Sequence, residues 1–104
     1  MHLFVDISSH GFGHLAITAP VLDALAAQIP GLRLTLRSSL PPAKLHQRIH
    51  TPFDLLHGST DFGYVMIDAT RIDLQASAAA YRAAHAGWAG RIAAESEFLA
   101  ELRP

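Results

Sequence analysis

The feature that most constrains the fold of this chain is a glycine-rich stretch, residues 8–14, with the sequence SSHGFGH. It follows a short apolar run at residues 2–7, which is typical of a buried strand in a parallel sheet. It leads directly into apolar residues at helical spacing over residues 14–29. A strand that passes into a helix through glycines leaves backbone N–H groups and the positive end of the helix dipole at one place. The sequence therefore predicts a site for an anion or a polar ligand in this turn.

The chain after the turn predicts a βαβ unit. The predicted buried face of the helix consists of Ile17, Val21, Leu22, Leu25, Ala26 and Ile29. Pro20 lies inside this pattern and predicts either a kink or a regular helix that begins near Ala19. Pro30 and Gly31 end the helix, and leucines then alternate with polar residues over residues 32–37, which indicates a half-buried second strand. A strand, a helix and a strand in this order form the right-handed unit with which a doubly wound sheet begins.

The rest of the chain predicts further strands and a long last helix. We expect a weak surface helix near residues 45–49, a third strand near residues 53–56 and another extended run at residues 65–67. Asp73 is a candidate N-cap for the last helix. The apolar stripe of that helix consists of Leu74, Ala78, Tyr81, Trp88, Ile92, Leu99 and Leu102. Gly87 and Gly90 predict either a bend or the close approach of a neighbouring element.

The length of the chain, 104 residues, is enough for one domain with a single core, so we interpret residues 1–104 as one Rossmann-like unit. The long apolar stripe needs more sheet than three or four short strands supply. The sequence also reaches Pro104 where a doubly wound fold would begin its next strand. We therefore expect an incomplete part of a larger α/β fold, and we expect its uncovered stripe to make the isolated chain self-associate.

Composition excludes several classes of protein. The formal net charge is -1 and the basic residues form no cluster, which leaves nucleic-acid binding without an electrostatic basis. The chain has no cysteine, so it has neither disulfides nor thiolate metal sites. It shows no basic segment before an apolar stretch at its start, and no apolar segment is long enough to span a bilayer. We therefore expect a cytoplasmic protein.

The glycines of the turn also satisfy a dinucleotide-binding pattern. Gly11, Gly13 and Ala16 fit G-x-G-x-x-G/A between a strand and a helix. NAD binding requires an acidic residue near the end of the second strand, where residues 36–39 instead have the sequence LRSS. Arg37 leaves one alternative open, in which it binds the 2′-phosphate of NADP and the chain is part of a reductase. A phosphate-binding P-loop is excluded because no Gly-Lys-Ser/Thr follows the glycines.

Residues 5–16, VDISSHGFGHLA, and residues 20–25, PVLDAL, resemble the amino-terminal half of GT-B glycosyltransferases. The likeness is to nucleotide-sugar-dependent enzymes with a Gly-His pair in the first strand-to-helix loop, and the segment is also similar to the glycosyltransferase-like leading part of some sugar kinases. The resemblance extends over about the first 40 residues. Beyond them, only the order of the strands and helices is similar. The resemblance implies a Rossmann-like acceptor-side domain, a sugar acceptor, and a nucleotide-sugar donor bound by a second domain outside this sequence.

The resemblance also implies roles for the loop residues. The loop histidine of the family is the general base for the acceptor hydroxyl, and His14 stands at the matching position. His10, Gly11, Phe12 and Gly13 would then contact the substrate. An imidazole suits this role because a sugar hydroxyl is a poor nucleophile until its proton is removed, and the helix dipole favours the neutral ring. No Asp of this sequence can be matched to the acidic partner of the family's histidine.

Structural roles are the alternatives for the same residues. His14 could only cap the helix, and His10 could only orient the loop. The two histidines do not predict a metal site, because a glycine-rich turn does not fix them on one helix face and no third ligand is evident. We expect neither a metal nor a cofactor. A third interpretation is a non-catalytic Rossmann-like module whose apolar helices bind another chain.

Overall fold

The structure is a computed structural model that describes residues 1–104, and it is an α/β protein with a three-stranded parallel sheet and four helices. The strands are β1 (His2–Asp6), β2 (Arg33–Ser38) and β3 (Asp54–His57). The helices are α1 (Gly13–Gln28), α2 (Pro42–Arg48), α3 (Leu74–Ala86) and α4 (Trp88–Leu102). This architecture confirms the predicted α/β class and is compatible with a Rossmann-like fragment. None of the helices combines the length and the apolar character that a membrane span requires.

The chain forms two compact units, Met1–Thr60 and Asp61–Arg103, here called the sheet unit and the helical unit. In the sheet unit the strands are parallel in the order β1-β2-β3, and a helix connects each strand to the next. Leu36 of β2 lies beside Val5 of β1 and Leu55 of β3, so these side chains share one face of the sheet. The core that joins this face to α1 and α2 consists of Ile7, Leu15, Ala19, Leu22, Leu34, Leu36, Leu40, Leu45 and Ile49.

The other face of the sheet carries polar side chains. His2 Nε2 lies 2.9 Å from Thr35 Oγ1, and Thr35 is only 1% exposed. Arg33 donates to Asp54 from Nε at 3.2 Å and from Nη2 at 3.0 Å. The apolar core of the sheet unit is therefore built on one face of the sheet, as the alternation of leucines with polar residues in β2 predicts.

The buried face of α1 differs from the predicted one. Leu15, Ala19 and Leu22 are buried, whereas Ile17 is 72% and Val21 is 53% exposed. The prediction that Ile17 and Val21 belong to the core was wrong. Helix α1 has apolar residues on nearly every side, so periodicity alone could not select the side that the sheet covers.

Pro20 lies within α1, which continues from Gly13 to Gln28. The helix therefore begins before the proline, which excludes the second of the two alternatives, a regular helix that begins near Ala19. Proline has no N–H group, so residue 20 cannot donate to the carbonyl oxygen of Ala16 one turn earlier. The helix loses one hydrogen bond at this place without ending there.

An acidic residue of α1 joins this helix to the segment that follows α2. The Asp23 carboxylate accepts hydrogen bonds from the N–H groups of His50 at 3.0 Å and Thr51 at 2.9 Å, and from Thr51 Oγ1 at 2.8 Å. The ring nitrogen Nδ1 of His50 lies 2.9 Å from the same carboxylate. Burial raises the pKa of Asp23, but the hydrogen bonds from Thr51 and His50 outweigh this effect and lower the pKa from 3.8 to about 2.

We expect Asp23→Ala to lower the free energy of unfolding at pH 7 by roughly 1–2 kcal/mol, because hydrogen bonds to a charged group are lost and solvent screens part of their strength. The pKa of Asp23 is lower in the folded protein than in the unfolded chain. Its stabilisation is therefore complete above pH 3.8 and is lost as the pH falls through about 2. Urea unfolding of both proteins at pH 7 and pH 2, followed by circular dichroism, measures the difference.

The matched control for this prediction is Asp54→Ala, which removes the exposed pair with Arg33 and should cost less than about 1 kcal/mol. If the Asp23 variant is destabilised as much at pH 2 as at pH 7, the ionised carboxylate is not the source of the stabilisation.

In the helical unit, the predicted N-cap of α3 is confirmed. The Asp73 carboxylate accepts a hydrogen bond from the N–H of Ala76 at 2.9 Å. The predicted last helix is divided at Gly87, whose φ of -116° and ψ of 31° interrupt the helical path. This interruption agrees with the predicted bend. A Cβ atom added at Gly87 or Gly90 would meet nothing within 4 Å, so neither glycine marks the close approach of a neighbour, and nothing in the structure explains Gly90 inside α4.

The apolar stripe of the last two helices is not buried. Leu74 is 77% exposed, and Tyr81, Trp88 and Ile92 are each between 51% and 53% exposed, in agreement with the prediction that this chain has too little sheet to cover the stripe. Residues 65–67 form only an isolated antiparallel bridge between Met66 and Ile72, not a fourth strand. Tyr81 and Trp88 both stack on His85, with 4.1 Å and 5.1 Å between the ring centroids.

Candidate functional site

The loop that follows β1 is fixed to the end of β2. Ser38 Oγ donates to the carbonyl oxygen of Ile7 at 2.9 Å, and Ser38 is fully buried. Ser9 Oγ accepts a hydrogen bond from the N–H of Ser39 at 2.9 Å. Sequence analysis did not predict these contacts, although two Ser-Ser pairs, residues 8–9 and 38–39, at the ends of neighbouring parallel strands could have indicated them. The loop therefore starts from a defined position at the carboxyl edge of the sheet.

Within the loop, the backbone conformation at residue 11 favours glycine. Its φ is +81°, in the region that other residues rarely adopt, and its N–H donates to the carbonyl oxygen of Ser9 at 3.0 Å. A Cβ atom at Gly11 or at Gly13 would meet nothing within 4 Å. The space beside both glycines is open, so a ligand can reach the backbone there.

Gly11→Ala should therefore destabilise the sheet unit by about 1–2 kcal/mol, because an L side chain is strained at this φ. The matched control is Gly13→Ala in the first turn of α1, where no positive φ is required and alanine favours the helix. Thermal unfolding by circular dichroism compares the two variants. Equal stability of both would show that the turn tolerates a side chain at residue 11.

Helix α1 begins without a side-chain cap. Phe12 is the N-cap residue, no side chain accepts a hydrogen bond at this end, and the first turn contains no acidic residue. The first helical hydrogen bond runs from the N–H of Ala16 to the carbonyl oxygen of Phe12 at 2.9 Å. The preceding N–H groups of the first turn are thus open to water or to a ligand, at the positive end of the helix dipole.

His14 is the second residue of α1, and its side chain is exposed. The imidazole forms no hydrogen bond, so it neither caps the helix nor has a carboxylate partner. His10 is exposed as well, and its N–H donates to Ser8 Oγ at 3.4 Å. No group of three or more His, Cys, Asp or Glu side chains in residues 1–104 lies where it could hold a metal ion. His14 therefore presents a ring whose nitrogen atoms are accessible to a ligand.

A groove lies between the first turn of α1 and helix α2. Its volume is about 140 Å³, and it is lined by Phe12, Leu15, Ala16, Lys44, Gln47 and Arg48. Phe12 is 53% exposed, and Lys44 Nζ lies 5.9 Å from the centroid of its ring. Of the predicted site residues, only Phe12 lines this groove. Sequence analysis missed Lys44, Gln47 and Arg48, although a seven-residue helix with two permanent cations and no acidic residue is itself a signal.

Arg37, the residue that NADP binding would require, is already paired. It donates to the Asp6 carboxylate from Nε at 2.9 Å and from Nη2 at 2.6 Å, and its side chain is only 14% exposed. Its guanidinium also lies 5.1 Å from the centroid of the Phe4 ring. Thr60 Oγ1 donates to the same carboxylate at 2.6 Å. Because the Asp6 carboxylate already balances the charge of Arg37, the structure gives the NADP alternative no support.

No protein-family model, no curated protein and no solved structure matches this chain. What the site can do therefore follows from its own residues. The loop offers an accessible imidazole and open backbone beside two glycines, and it can therefore meet a polar molecule and accept a proton from it. The groove beside α2, which His14 does not line, offers cationic side chains to an anion.

Proposed function

We propose that this chain is the acceptor-side part of a GT-B glycosyltransferase, and that it transfers a sugar from a nucleotide-sugar donor to a hydroxyl of an acceptor. The donor is bound by a second domain of the complete enzyme. The resemblance of residues 5–16 and 20–25 to that family supports the proposal, as does a parallel sheet with the loop at its carboxyl edge, where ligands bind in open α/β sheets. The observation that carries the proposal is the exposed imidazole of His14, free of hydrogen bonds, directly after this loop.

In this reaction His14 is the general base. A nitrogen of the neutral imidazole accepts the proton of the acceptor hydroxyl while the hydroxyl oxygen attacks the anomeric carbon of the donor. The bond from that carbon to the leaving phosphate oxygen breaks, and the nucleotide leaves with the electron pair. Gly11 and Gly13 allow the acceptor to approach the backbone because no side chain occupies the space beside them. His10 and Phe12 are the further side chains of the loop that contact the acceptor in this proposal.

The test is a transfer assay on the natural polypeptide that contains this chain. A panel of labelled nucleotide sugars is incubated with hydroxyl-bearing acceptors, and the product is detected by mass spectrometry. We expect a sugar-acceptor product from at least one donor. Absence of transfer from every donor, together with saturable NADPH binding that Arg37→Ala abolishes, would establish the reductase alternative instead.

If the chain is instead a non-catalytic module that binds another chain, these assays should show neither sugar transfer nor NADPH binding. Self-association of the chain through its exposed apolar residues stays a prediction. Sedimentation of the isolated chain addresses that prediction without reference to catalysis.

A further inference from the structure

Only some of the positively charged side chains of the sheet unit form ion pairs. Its basic side chains other than histidine are Arg33, Arg37, Lys44 and Arg48. The first two form ion pairs with aspartates of neighbouring strands, at 3.0 Å and 2.6 Å. Lys44 and Arg48 form no ion pair, and both line the groove between α1 and α2. The two cations that the fold leaves without a counter-charge therefore lie at the same place.

The groove places these cations on one side and apolar atoms on the other. Lys44 and Arg48 are four residues apart on α2, so they lie on the same side of that helix. Gln47 adds an amide, which can donate or accept. The opposite wall comes from α1 and includes Phe12, near whose ring Lys44 Nζ lies. The volume of about 140 Å³ is suited to a single small group such as a phosphate or a carboxylate, not to a whole sugar nucleotide.

A second cavity continues the groove along α1 and has the opposite charge at its far end. It shares Ala16, Gln47 and Arg48 with the first, has a volume of about 320 Å³, and extends to Asp23 and His50. The Asp23 carboxylate is negative at neutral pH, because its hydrogen bonds hold its pKa at about 2. An anion is thus repelled from the Asp23 end and attracted to the end that holds Lys44.

We infer that the groove binds the phosphate or carboxylate group of the acceptor, with Lys44 and Arg48 as its partners and Phe12 beside it. The identity of the bound molecule as the acceptor rests on the proposed function, whereas the anion site rests on the groove alone. The acceptor class is then an anionic sugar or sugar derivative. Its charged group lies against α2, and its reacting hydroxyl has to reach His14, which does not line the groove.

The anion site is tested on the ¹⁵N-labelled chain with inorganic phosphate and, separately, with acetate, at constant ionic strength. We expect saturable shifts of the amide resonances of Ala16, Lys44, Gln47 and Arg48. The double variant K44Q/R48Q should weaken binding about ten-fold or more, because two charge-assisted hydrogen bonds are lost. The control R82Q/R103Q removes the same charge from exposed positions of the helical unit and should leave binding unchanged.

Equal weakening by both double variants, or shifts that never saturate, would overturn the inference, since they would indicate only diffuse attraction to the net charge. Phosphate and acetate distinguish the two kinds of anionic group by their relative affinity. In the transfer assay, a phosphorylated or carboxylated acceptor should show a lower KM than its neutral counterpart, and K44Q/R48Q should remove that preference. Anion binding without any sugar transfer would refute the proposed function while the site stands; transfer without preference for anionic acceptors would refute the acceptor assignment.

Discussion

His14→Ala should lower the turnover of sugar transfer by the natural polypeptide about 10²–10⁴-fold, the usual contribution of a general base. The loss should fall on kcat, because the imidazole acts on the proton that moves in the transition state. The ring is exposed and takes no part in the hydrogen bonds that hold the loop, so the variant should fold normally. Steady-state kinetics with saturating donor, and a melting curve of the same preparation, measure both properties.

Two controls give this prediction its specificity. His10→Ala removes an imidazole from the same loop and should reduce turnover far less, because His10 is proposed to contact the acceptor and not to accept its proton. Added imidazole should restore part of the activity of the His14→Ala protein, because it can supply the missing base in the space left by the side chain. Unchanged turnover in His14→Ala would remove this residue from the mechanism.

Leu22→Ala should lower the free energy of unfolding by about 2–5 kcal/mol. Leu22 is 3% exposed and belongs to the core between α1 and the sheet, so its truncation leaves a cavity. Its neighbour in sequence, Val21, is 53% exposed, and Val21→Ala should change the stability by no more than about 0.5 kcal/mol. Chemical denaturation of the two variants beside the unmodified chain measures the contrast.

The pair tests which side of α1 the sheet covers. A larger loss for Val21→Ala than for Leu22→Ala would mean that the helix is rotated about its axis relative to the structure. Equal losses would mean that both sides of α1 are covered. Neither result follows from the side-chain burial described above.

The elements of the sheet unit could be predicted from sequence because their signals are local. Alternating leucines specify β2. Pro30, with its fixed φ and no N–H group, helps to end α1. In the helical unit the same holds for the cap at Asp73, whose carboxylate lies three residues before the N–H that it accepts. The apolar pattern from residue 14 also predicts the start of α1 to within one residue of Gly13, although Pro20 left a start near Ala19 open. These features depend on residues within a few positions of one another.

The features that could not be predicted depend on residues far apart in sequence. Which side of α1 is buried depends on where the sheet lies, and the apolar residues of α1 are too evenly distributed to decide it. The bonds of Asp23 to His50 and Thr51, and the pairing of Arg37 with Asp6, join positions about thirty residues apart. The groove combines Phe12 with Lys44 only after α2 has been placed beside α1. The candidate base could be named from a short motif, but the surface around it required the tertiary structure.

The proline inside α1 has a chemical consequence beyond the helix. Since residue 20 has no N–H, the carbonyl oxygen of Ala16 does not receive the hydrogen bond that a carbonyl in the middle of a regular helix accepts from four residues later. Ala16 lines both parts of the groove, between the cationic end and Asp23. Pro20 itself lines the larger part of the groove, so its ring places apolar carbon atoms there, where another residue would have an N–H engaged within the helix.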